Sequence, residues 1–207
     1  GKVQALDGVD LEVKGGERII LLGPSGSGKT TLLNCIAALD SPTAGTYSFE
    51  GKEVPRNAPE EMTTFRRENI GYVFQFFNLL QDLTVLENLL LIQELAGGRD
   101  EKRARELLAL VGLEDEVDRF PTEISGGQQQ RVAIARSLAK KPKLLLGDEL
   151  TGNLDTKTSS MVMEVLVKAC EAEGITTVFV THDESLIKFA TRVIRLDSGI
   201  VISDQDA

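Results

Sequence analysis

The sequence predicts an α/β fold with a mainly parallel sheet and a helical subdomain inserted into it. Two observations carry this reading. Apolar, β-rich stretches alternate along the chain with helix-forming stretches, the pattern of strands joined by crossover helices. From Thr84 to about Leu110 that alternation stops, and the residues are almost all helix formers.

Val3 to Val13 reads as an opening strand, closed by the Lys14-Gly15-Gly16 turn. Arg18 to Leu22 is a short buried strand, followed by a glycine-rich loop and an apolar helix over about Lys29 to Leu39. Ser41-Pro42-Thr43-Ala44-Gly45 breaks that helix, and Thr46 to Glu50 and Ile70 to Phe74 read as strands. Thr84-x-x-Glu87 is a capping box, and Gly97-Gly98 separates the helix it opens from a second over Arg99 to Leu110. Lys143 to Leu146, Thr176 to Thr181 and Thr191 to Leu196 return to strand patterns, with a helix over Thr156 to Glu173. Residues 1–75 and 141–207 are therefore expected to form the α/β core, and about 76–140 the inserted helical subdomain. Internal repeats, low-complexity tracts and long linkers are absent from the sequence, and no appended regulatory domain is expected.

Composition removes several function classes. At 207 residues with 42% hydrophobic and 27% charged, the chain can bury a substantial core. No apolar run approaches the roughly 18 residues of a spanning helix. No basic, apolar leader opens the sequence, so secretion is not expected. Cys35 and Cys170 stand far apart without metal-ligand neighbours, which fits a reduced, cytoplasmic setting. A net charge of -9 opposes a general nucleic-acid partner.

Gly23-Pro24-Ser25-Gly26-Ser27-Gly28-Lys29-Thr30 matches G-x-x-x-x-G-K-[ST] at every position, directly after a buried strand and before a helix. Its glycines allow successive backbone N–H groups to turn around phosphate oxygens, and the helix start adds its positive dipole end. Lys29 is expected to reach the β- and γ-phosphates, and the Thr30 hydroxyl to ligate Mg²⁺. An Asn-Lys-x-Asp motif, expected of a GTPase, is absent from the sequence.

Lys143 to Leu146 continues into Gly147-Asp148-Glu149, an apolar strand ending in two acids. Asp148 is placed to hold Mg²⁺, and Glu149, on the opposite side of the strand, to polarise a water for attack on the γ-phosphate. Ser125-Gly126-Gly127-Gln128, after Ile124 and before Gln129-Gln130-Arg131, opens another helix. Ser125-x-x-Gln128 is itself a capping box, but a cap does not require Gly-Gly within it. This is a second anion site, far along the chain from the first. Two subunits packed head to tail could use both on one nucleotide.

Taken together, these motifs resemble those of the ATP-binding-cassette (ABC) ATPases over essentially the whole chain. The resemblance implies a P-loop NTPase core with an N-terminal antiparallel β subdomain and the inserted helical subdomain. It implies ATP and Mg²⁺ as ligands, with Gly23, Ser25, Gly26, Ser27, Gly28, Lys29, Thr30 and Thr31 around the nucleotide. Gln75 matches the Q-loop glutamine, expected at Mg²⁺ and the attacking water. Ser125, Gly126, Gly127 and Gln128 match the signature that binds the γ-phosphate held by the opposite subunit. Asp155, in Gly152-Asn153-Leu154-Asp155, matches the D-loop residue of the dimer interface. His182, the one histidine of the sequence, matches the switch histidine that contacts the γ-phosphate.

The same resemblance implies ATP hydrolysis by a homodimer that closes on ATP and drives integral membrane permease subunits. The chain would then sit peripherally on the inner face of the membrane. Gly71-Tyr72-Val73-Phe74-Gln75, Phe77-Asn78-Leu79-Leu80, Leu83-Thr84-Val85-x-Glu87-Asn88 and Gly152-Asn153-Leu154-Asp155 resemble most the subgroup for lipoprotein release, macrolide export and cell division. The segment Phe76 to Leu95 is a candidate permease contact, although its apolar residues suit a core equally well. Leu150 departs from the proline usual after the second acid, leaving that loop less rigidly held, and Ile124 replaces the usual leucine. The adenine-stacking aromatic residue would lie before Gly1. The alternatives are a non-transport ATPase of the same family and a nucleotide-sensing cassette. The short interval from Gln75 to Ser125 leaves no room for a coiled coil, and intact Lys29, Glu149, Ser125 and His182 oppose a sensor.

Overall fold

The computed structural model describes residues 4–152 and 156–207. Its strands are β1 (Arg18–Leu22), β2 (Ser48–Phe49), β3 (Lys52–Glu53), β4 (Ile70–Val73), β5 (Leu144–Asp148), β6 (Thr176–Val180), β7 (Arg192–Asp197) and β8 (Ile200–Asp206). Its helices are α1 (Lys29–Ile36), α2 (Pro59–Asn69), α3 (Val85–Leu95), α4 (Glu101–Leu110), α5 (Gly126–Leu138) and α6 (Thr156–Glu173).

Six strands form one sheet in the order β4-β5-β6-β1-β7-β8. Every pairing in it is parallel except β7 with β8. The period-two alternation of a strand divides its side chains between two cores. Ile19 and Leu21 of β1 join Leu32 and Leu33 of α1 on one face. Ile20 and Leu22 face the other way, into a core shared with α3, α4, α5 and α6. Burial on both faces explains why these strands read as unbroken apolar runs.

Helix α3 begins at the capping box predicted for it. The Thr84 hydroxyl accepts from the Glu87 N–H at 3.2 Å, and the Glu87 carboxylate accepts from the Thr84 N–H at 2.8 Å. The segment from Phe76 to Leu95 divides between the two roles that suit it. Val85, Leu86, Leu89 and Leu90 are buried, whereas Phe76, Leu80 and Leu95 are exposed. Two polar side chains hold the stretch before α3. The buried Asn88 amide donates to the Leu80, Leu83 and Thr84 carbonyls and accepts from the Leu80 N–H at 2.9 Å. From α5, Arg136 donates to the Phe77 and Asn78 carbonyls at 3.0 and 2.7 Å.

The structure corrects the expected opening strand at Val3 to Val13, since residues 4–13 form no ladder. Val9, Leu11 and Val13 are partly buried against the α1-side core, so packing rather than strand pairing accounts for the apolar alternation. The Asp7 N–H donates to the Gly199 carbonyl at 2.8 Å, a single bond where a strand would have a series. Antiparallel structure before α2 is the short β2–β3 pair. Three of these elements escaped the sequence reading: β3, only two residues long, α2, which buries only Met62, and β8, none of whose residues is fully buried. Pro59 in the first turn, Glu60 and Glu61 beside it, and Arg66 and Arg67 in the last turn were the available signals for α2.

Asn88→Ala should destabilise the protein by about 2 kcal/mol, because it strands several buried backbone groups. Equilibrium denaturation in urea measures this; a loss below about 0.5 kcal/mol would mean that water replaces the amide there.

Candidate functional site

The loop Gly23–Thr30 joins the end of β1 to α1 and is shaped by close backbone approach. A Cβ on Gly23 would lie 2.1 Å from the Leu196 carbonyl oxygen, and one on Gly28 2.3 Å from that of Ala5. Gly28 also takes φ 99°, in the left-handed region that favours glycine. Lys29 is buried, and its ammonium donates to the Gly23 and Pro24 carbonyls at 2.8 and 2.7 Å. The cation is thus held inside the curve of its own loop. The Ser27 hydroxyl is buried without a hydrogen-bond partner among the described residues. Ser25, Gly26 and Thr30 are exposed, and Thr31 is half-buried at the start of α1.

Strand register brings the acids to this loop. Asp148 aligns with Val180 of β6, and Val180 with Leu21 of β1, so the carboxyl ends of all three strands open at one edge. The Thr30 hydroxyl donates to the Asp148 carboxylate at 3.3 Å. Burial is the main cause raising the Asp148 pKa above the ordinary range, with the Thr30 hydrogen bond opposing it. A hydroxyl and a carboxylate fit Mg²⁺, which takes hard oxygen ligands and completes its shell with water and substrate phosphate. No cluster of three or more His, Cys, Asp or Glu suited to a metal occurs among the described residues, so a dedicated all-protein cage is not what this edge provides.

Glu149 is directed to a different neighbour. Its carboxylate lies 2.9 Å from Nδ1 of His182, which stands just past β6. That contact is the leading cause raising the His182 pKa. Both residues line a cleft of about 370 Å³ together with Thr151, Gly152, Ser159 and Thr181. Thr151 and Ser159 were not singled out from the sequence, because an isolated Ser or Thr carries no pattern. Gln75 follows β4 by two residues and is exposed at the same end of the sheet, since β4 pairs with β5.

Ser125, Gly126, Gly127 and Gln128 form the start of α5, and the hydrogen bonds of Ser125 and Gln128 are made outside the Gly23–Thr30 loop. The Ser125 hydroxyl accepts from the Gln128 N–H at 3.3 Å, and the Gln128 side-chain oxygen accepts from the Ser125 N–H at 2.9 Å. Gln128 also donates to Glu116 at 3.2 Å. Gly127 is tight against α6, with a Cβ there only 3.0 Å from the Thr158 methyl. Asp155 lies outside the described residues. Leu150 lacks the ring constraint of a proline, but its side chain is buried.

Comparison with known proteins places this geometry in context. A family model described as ABC transporter matches residues 6–152. The lipoprotein-releasing system ATP-binding protein LolD of Geobacter metallireducens is 47% identical over 206 residues, which span 98% of this chain and 92% of that one. The macrolide export ATP-binding/permease protein MacB of Syntrophobacter fumaroxidans is 43% identical over 210 residues, covering 99% of this chain but 29% of its own length. Among solved structures, a dimeric ATP-binding cassette in a post-hydrolysis state, bound to ADP and Pi, superposes with a TM-score of 0.88 at 42% identity. That match covers 98% of this chain and 90% of the other.

The Glu149–His182 contact has a direct spectroscopic consequence. A raised histidine pKa means that the charged pair is fully formed below the ordinary value of 6.5 and is lost as pH rises through the higher folded-state midpoint. The sequence has one histidine, so an NMR titration reads it without assignment. The midpoint should lie above 6.5 in the nucleotide-free protein and fall back toward it in Glu149→Gln. An unchanged midpoint in that variant would show that Glu149 does not hold the imidazole.

Proposed function

This chain belongs to the ABC transporter family, and we propose that it is the ATP-hydrolysing subunit of a transporter whose permease lies in separate subunits, of the export or lipoprotein-release type. The observation that carries this reading is the meeting of the phosphate loop, Asp148, Glu149 and His182 at one sheet edge, while Ser125–Gln128 opens a helix of its own. ATP is the substrate and Mg²⁺ its partner ion.

Each side chain then has a definite task. Lys29 exchanges the Gly23 and Pro24 carbonyls for phosphate oxygens, and the loop N–H groups donate to the same anion. Thr30 and Asp148 hold Mg²⁺, with Gln75 completing that side. When bound there, Mg²⁺ would supply positive charge against the phosphate oxygens. Glu149 orients and polarises the attacking water, and His182 and Lys29 stabilise charge developing on the transferred phosphoryl group.

Ser125 and Gly127 would donate to the γ-phosphate held by a second copy, with Gly126 and Gln128 shaping that helix start and Asp155 at the same interface. Closure is head to tail: each γ-phosphate bridges two chains, and hydrolysis removes the bridge. Residues about 76–140 serve as the helical unit that carries the signature. Exposed Phe76 and Leu80 offer the permease an apolar contact backed by Arg136. Such docking would hold the chain peripherally at the cytoplasmic face of the membrane. The relatives named for lipoprotein release and macrolide export support that class of permease. Intact Lys29, Glu149 and His182 favour turnover over a nucleotide sensor.

Glu149→Gln should abolish turnover, retain ATP and convert monomer to dimer on addition of Mg·ATP, read by light scattering. Normal turnover in this variant would refute the role of Glu149. A chain that stays monomeric with ATP bound would refute nucleotide-driven closure by the chain alone.

A further inference from the structure

The segment that carries the two acids is locked by a contact between the residues on either side of them. A Cβ built on Gly147 would lie 2.7–2.8 Å from Cγ, Cδ1 and Cδ2 of Leu150, closer than any real Cβ contact. The Leu150 side chain therefore folds back into the notch that Gly147 leaves at the end of β5. It is 5% exposed and joins the core that holds Val73 and Leu145.

Between the notch and its plug stands Glu149, at φ 49°. The left-handed region is unfavourable for a residue with a Cβ, and persists only where the surroundings over-determine it. Two backbone bonds take part here. The Glu149 N–H donates to the Val180 carbonyl at 3.0 Å, and the Gly152 N–H donates to the Glu149 carbonyl at 3.1 Å. The first ties the turn's backbone to buried Val180 of β6, and the second closes the turn on itself. Among the described residues of this turn, Leu150 in the Gly147 notch is the apolar side chain that reaches the core.

We propose that Leu150, seated on Gly147, is the positioning residue for Glu149, holding the turn in the left-handed conformation that directs the carboxylate toward His182. The inference rests on the reading of Glu149 as the group that polarises water. Its consequence is specific. Disturbing the plug displaces a group used in the chemical step, while Lys29 and Thr30, which bind the nucleotide, stand on α1 and Asp148 stays paired in β5 with Val180.

The test is a double-mutant cycle on the full chain, with steady-state ATPase kinetics and the melting temperature read for each variant. Gly147→Ala fills the notch and should lower kcat about tenfold with KM for ATP within about twofold. Leu150→Ala should lower kcat about fivefold, and Leu150→Met should recover most of that loss. Because both substitutions break one contact, Gly147→Ala/Leu150→Ala should be no slower than the slower single variant, whereas independent losses would multiply. Multiplying losses, wild-type kcat in Gly147→Ala, or a fall in kcat that Leu150→Met fails to recover would each overturn the proposal. If Gly147→Ala does not fold, the Leu150→Ala and Leu150→Met pair decides alone. Glu149→Gln separates the two layers: normal turnover there sinks the reading of Glu149, while an inactive Glu149→Gln with a fully active Gly147→Ala sinks only the plug.

Discussion

Parallel pairing of β5 with β6 and of β6 with β1 constrains everything at the site, because adjacent parallel strands release their carboxyl ends at the same edge. The loop after β1 opens there, the acids ending β5 stand beside it, and the histidine after β6 faces the second acid. None of these groups comes from a neighbouring part of the sequence. Thr30 and Asp148 are separated by most of the chain and still share a 3.3 Å hydrogen bond. The apolar runs that bury the sheet on both faces are thus what bring the polar chemistry together, and the two cores reach this edge through Leu22, Leu150 and Val180.

That edge holds its charges against one another. Lys29 spends its donors on backbone carbonyls, Asp148 accepts from Thr30, and Glu149 meets His182. The signature at α5 stands apart from this economy. Its serine and glutamine cap each other, and its glycines leave N–H groups at a helix start where an anion is favoured. A second copy of the chain is the simplest source of that anion.

Much of this was legible in the sequence, for physical reasons. Buried parallel strands are apolar runs, and the stretches before Gly23 and Asp148 needed no further context. The glycines of Gly23–Thr30 announce a backbone that side chains would block, as the Leu196 and Ala5 carbonyls show. The Thr84–Glu87 box marked the start of α3 because capping is local chemistry. What escaped was structure held by distant partners. Helix α2 is polar nearly all round, and β8 is an edge strand whose pairing with β7 decides its form. The stretch from 4 to 13 shows the converse failure, where a strand-like alternation is used for packing alone. Gly147 in an apolar strand was a readable sign of close approach, but which side chain approaches it required the fold.

The central claim is that one nucleotide is held by two chains, and mixing two defective proteins tests it most directly. In a Glu149→Gln background, Lys29→Ala removes the cradle and Ser125→Arg blocks the signature. Neither protein should pair with itself on Mg·ATP, whereas a mixture should form dimers, because a mixed pair retains one intact cradle facing one intact signature. Light scattering with Mg·ATP reads the outcome. Dimers in the mixture alone are the result this account predicts. A mixture that stays monomeric, or a single variant that pairs as well as the mixture, would contradict it.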